Sequence, residues 1–391
     1  MIRSGRAYPL LLVLAASAAN AGDRIFADGF EMPIFRGTNL AGMEMLYSDY
    51  DQASGPVADT NYPVYDTRDI DYFAGKGISA FRFLFSWEAV QPHLGDTIPY
   101  ADGGNYQAYF DNYQRIVNYA TGLGIQVIVE PWQADSGGGA GGARWRGDLV
   151  GSAQVPIAAF ADFWGRMAAN FRDNPLVSYG LVNEPNSMST ATWFSAAQAA
   201  VTAIRGAGSA QRIYVPGNGY TSASAWTQNY YDTDPSPISN ADGWLNANGA
   251  GQPLSDPLGN IAIEVHTYVD PYQCGCDPGH EDEITSVTAA RDQIADTLDW
   301  AVANGIPMYL GEIGMYAGAT TDDLHPAADA WADFVAYFNA NAGPFVGYTW
   351  WAGGMPDWWN DVHGPHFSIS PTNNVNYTGD TINMLMIGGD F

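Results

Sequence analysis

Residues 106–130 read YQAYFDNYQRIVNYATGLGIQVIVE and contain one structural unit in full. Tyr106, Tyr109, Phe110, Tyr113, Ile116, Val117 and Ala120 recur at the three- and four-residue spacing that gathers apolar side chains on one helix face. Gly122-Leu123-Gly124 closes that helix, because glycine takes the left-handed conformation with which helices commonly end. The run 125–130 follows at once, short, apolar and β-branched, as a buried strand should be.

The same pattern extends in both directions. Strand-like runs occur at 34–40, 78–85, 125–130, 176–182, 212–216, 261–267, 307–311 and 345–351, with helical periodicity between them. Ile157, Phe160, Phe163, Trp164, Met167 and Phe171 form a second stripe, and Gly75-Lys76-Gly77 and Asn304-Gly305 are further helix stops. Eight βα units without a break in composition predict an α/β fold, a (β/α)8 TIM barrel, whose usual length is about 250 residues. The surplus belongs in loops at 131–153, 217–259 and 352–391, each following a strand and so lying on the face where barrel enzymes work. No linker or internal repeat interrupts the chain, so residues 22–391 are expected to form a single domain.

Fifteen Lys plus Arg against 42 Asp plus Glu give a net charge of −27, and Lys76 is the sole lysine. That balance excludes a nucleic-acid partner and a polybasic membrane anchor. At 47% apolar and 14% aromatic the chain has ample material for a core. Arg3 and Arg6, the apolar run 10–16 and Ala19-Asn20-Ala21 predict an export signal over 1–21 and a secreted or periplasmic protein, with no membrane span after it. Cys274 and Cys276 are the two cysteines, too close together for a bridge between them to staple the fold.

Two glutamates end buried-looking strands, in Leu181-Val182-Asn183-Glu184-Pro185 and Tyr309-Leu310-Gly311-Glu312-Ile313-Gly314. At the carboxyl ends of the fourth and seventh strands both face a common mouth. Two carboxyl groups there suit glycosidic bond cleavage, in which one protonates the leaving oxygen and the other attacks or activates water. The alternative is structural, each acid merely pairing with a barrel arginine such as Arg82.

Taken in order, Arg36-Gly37-Thr38-Asn39-Leu40, Phe81-Arg82-Phe83, Asn183-Glu184-Pro185, Glu264-Val265-His266-Thr267-Tyr268, Gly311-Glu312-Ile313-Gly314 and Gly347-Tyr348-Thr349-Trp350-Trp351 resemble glycoside hydrolase family 5, the cellulase family, over nearly the whole mature chain. The resemblance implies a retaining endo-β-1,4-glucanase with Glu184 as acid/base and Glu312 as nucleophile, their carboxyl groups about 5 to 5.5 Å apart. It further implies that Asn183 bonds the sugar 2-hydroxyl, Arg82 and Tyr268 orient the nucleophile, His266 lies beside the acid/base, and Trp350 floors the cleavage subsite. No metal or other cofactor is implied, and the expected partner is a β-linked polysaccharide met by a monomer. Trp132 stands where the family usually has a histidine, exchanging a hydrogen-bonding group for a stacking surface. Asn186 is a candidate helix cap. Glu130 and Asp135 are further acids nearby, and Trp145, Trp226, Trp244, Trp358 and Trp359 are candidates to pave the cleft, about half of them as loop packing. Asp361, His363 and His366 form a remote cation-site candidate. A β-mannanase or other hemicellulase on the same barrel, and a noncatalytic carbohydrate-binding barrel, are the alternatives.

Overall fold

The computed structural model describes residues 34–46, 50–132, 142–229, 237–275, 283–318, 325–354, 367–373 and 375–389. The expected export signal, Asp135, Cys276, Trp358, Trp359 and the cluster at 361–366 lie outside the described residues. Cys274 is disulfide-bonded.

Eight parallel strands close into a barrel: β1 (Phe35–Ala41), β2 (Ala80–Phe85), β3 (Gln126–Pro131), β4 (Val177–Gly180), β5 (Ile213–Pro216), β6 (Ile261–Tyr268), β7 (Met308–Gly314) and β8 (Phe345–Gly354). Each pairs with its sequence neighbours, and β8 returns to β1. A helix follows each strand: α1 (Thr67–Gly75), α2 (Asn105–Gly122), α3 (Ile157–Phe171), α4 (Thr190–Gly206), α5 (Asn240–Leu245), α6 (Ala289–Asn304), α7 (His325–Ala340) and α8 (Ile382–Ile387). The eight expected strands and the (β/α)8 barrel are therefore present. On α2 the buried residues are the seven expected from its spacing. Gly77, Gly124 and Gly305 have φ of 92°, 83° and 66°, as the helix stops require.

Period-two alternation builds the barrel interior in layers. Phe35, Ala80, Ile128, Tyr214, Ala262 and Tyr309 plug the lower end as one buried apolar cluster. Two residues further along their strands, on the same face, stand Arg82, Glu130, Glu264 and Gly311. The barrel thus changes from apolar to charged over a single layer, below the mouth that bears the post-strand loops. Glycines make room for the charges. A Cβ on Gly180 would lie 1.9 Å from Glu130 Oε2, and one on Gly311 2.2 Å from Glu264 Oε1.

Gly180→Ala should accordingly displace a fully buried carboxylate from its ion pair and destabilise the fold by about 3 kcal/mol. Urea denaturation measures this, and an unchanged midpoint would contradict the packing argument.

Candidate active site

Arg82 is fully buried and uses all five of its N–H donors. Nε and Nη2 donate to the two oxygens of Glu130 at 2.8 and 2.5 Å. Nη1 donates to Asn39 Oδ1 and to Glu312 Oε1, both at 2.8 Å, and Nη2 also donates to Asn183 Oδ1 at 2.7 Å. The second oxygen of Glu312 accepts from the Tyr268 hydroxyl at 2.6 Å. Both Glu312 oxygens are thereby oriented.

Strict alternation after inward-facing Tyr309 and Gly311 would turn Glu312 outward. A bulge intervenes: Val265 pairs with Leu310 while His266 pairs with Glu312, so β7 carries an extra residue at Gly311. Bulges of this kind re-aim a side chain, and here the side chain turned into the mouth is Glu312. Glu184 is aimed by a different device, a φ of +48° in the left-handed region, which costs a non-glycine residue about 1–2 kcal/mol. Asn186 supports that turn by donating from Nδ2 to Glu184 O at 2.9 Å. It does not cap α4; Ser189 does, accepting from Thr192 N.

Glu184 Oε1 meets His266 Nδ1 at 2.7 Å, and Glu312 Oε2 lies 3.6 Å from the same nitrogen. One oxygen of each glutamate and this nitrogen fall within 4.8 Å of one another. That is closer than the carboxyl separation of about 6.5–9.5 Å that an inverting mechanism uses. The same trio has the spacing to hold a cation. Ligands at about 2.1 Å from one tetrahedral ion sit more than about 3 Å apart, so the 2.7 Å contact is a direct hydrogen bond.

Burial pushes the Glu184 carboxyl above the usual range, with His266 opposing it. Burial likewise raises Glu130 to about 8 against the pull of Arg82. For His266 burial acts downward, but the carboxylates of Glu312, Glu184 and Glu264 prevail and raise it to about 10.

Six of the expected residues, Arg82, Asn183, Glu184, His266, Tyr268 and Glu312, thus form one connected constellation. Trp132 follows directly on β3, half-buried, with its backbone N–H on Phe85 O. Trp350 requires correction. Its ring is fully buried among core side chains, packs edge-on against Trp331 of α7 at 5.3 Å, and donates from Nε1 to Phe367 O. It shares its face of β8 with Tyr348, which also packs on α7. Trp351 has the opposite parity, that of barrel-facing Thr349, and is partly exposed. Trp226 and Trp244 are buried against Phe194 and Trp300, hence core packing and not cleft paving, whereas Trp145 is half-buried with Arg146 over its ring.

The family model for Cellulase (glycosyl hydrolase family 5) matches residues 31–354. The chain belongs to this family. It is 30% identical to endo-β-1,4-glucanase B of Emericella nidulans, over 95% of each chain, and 29% identical to endo-β-1,4-glucanase B of Aspergillus niger, over 95% of this chain and 96% of that one. Among solved structures, XacCel5A in complex with cellopentaose aligns with a TM-score of 0.75 and 28% identity, covering 92% of this chain and 99% of that one.

The buried acids and His266 have a consequence for stability. Glu130 and His266, together with Glu44 and Asp69, which burial raises to about 7, keep protons in the folded state that the unfolded chain releases at lower pH. The contribution of Glu130 is complete below about 4.5 and lost toward 8, and that of His266 is complete below about 6.5 and lost toward 10. Asp66, Asp256 and Asp380 are lowered and lose their contributions only in stronger acid. The melting temperature should therefore fall between pH 5 and pH 8 in scanning calorimetry, and a rise over that range would refute these assignments.

Proposed function

We propose that this protein is an exported, retaining endo-β-1,4-glucanase that cuts internal links of a β-glucan with Glu184 as acid/base and Glu312 as nucleophile. The observation that carries the reading is the approach of the two carboxylates, one held on Arg82 and Tyr268, the other on His266. Support for the substrate comes from the names of the glucanase relatives and from the cellopentaose complex of XacCel5A. No helix among the described residues is long and apolar enough to cross a membrane, and export rests on the 1–21 signal.

In the first step a Glu312 oxygen attacks the anomeric carbon, the glycosidic C–O bond breaks, and Glu184 gives its proton to the leaving oxygen. In the second, Glu184 takes a proton from water, the water oxygen attacks the same carbon, and the ester bond to Glu312 breaks. Two inversions retain the configuration. Arg82 and Tyr268 hold and aim the two oxygens of Glu312, while burial favours a proton on Glu184 until the leaving group needs it. Asn183, anchored by its Oδ1 on Arg82, is the residue assigned to the sugar 2-hydroxyl. Trp351, on the barrel-facing side of β8, takes the stacking role that Trp350 cannot fill from the core.

Reducing ends released from soluble cellulose derivative, mixed-linkage glucan, mannan and xylan test the substrate, with Glu312→Gln as blank. Glucan cleavage lost at least a thousandfold in the variant is expected, by about the margin that removal of a nucleophile gives. Cleavage of mannan or xylan instead would move the substrate, and unchanged turnover in the variant would refute the nucleophile. Glu184→Gln should fail on polymer yet keep most of its glycosylation rate on a dinitrophenyl cellobioside, whose leaving group needs no proton; equal losses on both would count against an acid role.

The two tryptophans should separate cleanly. Trp351→Ala should lower kcat/KM about tenfold or more with little change in melting, while Trp350→Ala should cost about 3–5 kcal/mol of stability. The reverse pattern would reinstate Trp350 at the subsite.

A further inference from the structure

Beneath the two catalytic glutamates lies a third whose chemistry is not yet spent. Glu264 is fully buried, and neither of its carboxylate oxygens has a hydrogen-bond partner among the described residues. Oε1 stands 3.3 Å from Arg82 Nε, which is already committed to Glu130, and 3.5 Å from His266 Nε2. His266 Nε2 is itself unpartnered and buried. These two polar atoms face each other at the limit of hydrogen bonding, in space kept by Gly311, where a Cβ would come within 2.2 Å of Glu264 Oε1 and 2.9 Å of His266 Nε2. The other ring nitrogen of His266 holds Glu184.

We propose that Glu264 is a positioning residue for the acid/base: it holds His266 with a proton on Nε2, so that Nδ1 and Glu184 share a single proton. The inference rests on the assignment of Glu184 as acid/base.

With Nε2 protonated toward Glu264, the one shared proton sits either on Nδ1, facing a Glu184 carboxylate, or on Glu184 as an O–H, facing the Nδ1 lone pair. The opposite neutral tautomer would set an N–H against that O–H. When Glu184 has given that proton to the leaving oxygen the pair holds none, until the attacking water of the second step returns one for Glu184 and Nδ1 to share, with Glu264 as counter-charge whenever it rests on the ring. One imidazole thus serves both halves of the cycle without turning, and the proton lost to the leaving oxygen is replaced by the one taken from water.

The surroundings of His266 bear on any pH effect. Glu184 reaches it from the segment after β4 and Glu312 from β7, while Glu264 and Tyr268 flank it on β6. Arg82 from β2 and Glu130 from β3 complete the charges. From the segment after β5, Thr221 O accepts the backbone N–H of His266 at 2.9 Å and fixes the strand. Taking one negative charge out of this predominantly acidic group makes every remaining proton easier to lose.

The test is the pH profile of kcat/KM on soluble β-glucan for wild type, Glu264→Gln and Glu264→Asp. Glu264→Gln should move the basic limb down by about one pH unit, the scale of a charge removed at this range. Glu264→Asp, which keeps the charge, should leave the limb where it is in the wild type. A Glu264→Gln enzyme slower at every pH with its limbs unmoved would overturn the proposal, since that is what a merely structural residue does. Nitrogen-15 shifts of the His266 ring in the wild-type protein, assigned with His266→Gln, read the tautomer without any turnover and without a Glu264 variant that folds. A proton on Nε2 at the active pH supports the proposal, and a neutral ring protonated on Nδ1 alone refutes it. Failure of the underlying reading looks different: Glu184→Gln would retain polymer hydrolysis, whatever the Glu264 variants do.

Discussion

Everything at the mouth of this barrel hangs on one buried guanidinium. Moving a charge of that size out of water costs several kcal/mol, and Arg82 meets the cost by satisfying five donors with four side chains. Two of those side chains are acids with different duties. Glu130 closes on one edge with both oxygens and holds the guanidinium in place. Glu312 takes a single bond from the opposite edge, leaving its second oxygen on Tyr268. The nucleophile proposed at Glu312 has to give its charge to the sugar and later recover it. The hydrogen bonds to Glu130, Asn39 and Asn183 keep the guanidinium in place when that happens. Asn39 ties the same group to the strand ends, donating to the backbone oxygens of Gly311 and Trp350 at 3.0 Å each.

The two carboxylates themselves are placed by departures from regular backbone. A bulge at Gly311 turns Glu312 into the mouth, and a left-handed residue in the segment after β4 brings Glu184 against His266. Regular strands would have sent at least one of them elsewhere. Strain and irregularity therefore sit at the two positions where geometry matters most, supported by the rigid layer beneath.

This division explains what could be read from the sequence. The barrel was legible because buried strands and amphipathic helices leave different periods, and glycine marked the joins between them. The acids were legible because a charged residue ending an apolar strand is conspicuous. Which way each side chain points was legible only where alternation holds. In Gly347-Tyr348-Thr349-Trp350-Trp351 the parity of Thr349 already separates the two tryptophans, yet resemblance alone selected Trp350. The bulge leaves no mark in Gly311-Glu312 beyond the glycine. The cap of α4 was equally local: Asn186 and Ser189 are both good capping residues, and the chain uses Ser189 because Asn186 is occupied in bracing Glu184.

The same division accounts for Trp132. A histidine in that place would add a polar contact at the end of β3, but none of the bonds that hold and aim Glu312 runs through it. They come from β2, β6 and the layer below, and the contact on Glu184 comes from β6. A tryptophan can therefore replace the histidine without disturbing the charges that break the bond. What the exchange offers, if the proposed substrate contact holds, is a flat, half-buried ring that favours the apolar face of a sugar over its hydroxyls. Chemistry held by strands and recognition held by post-strand segments can thus vary separately, which is why one barrel serves many polysaccharides.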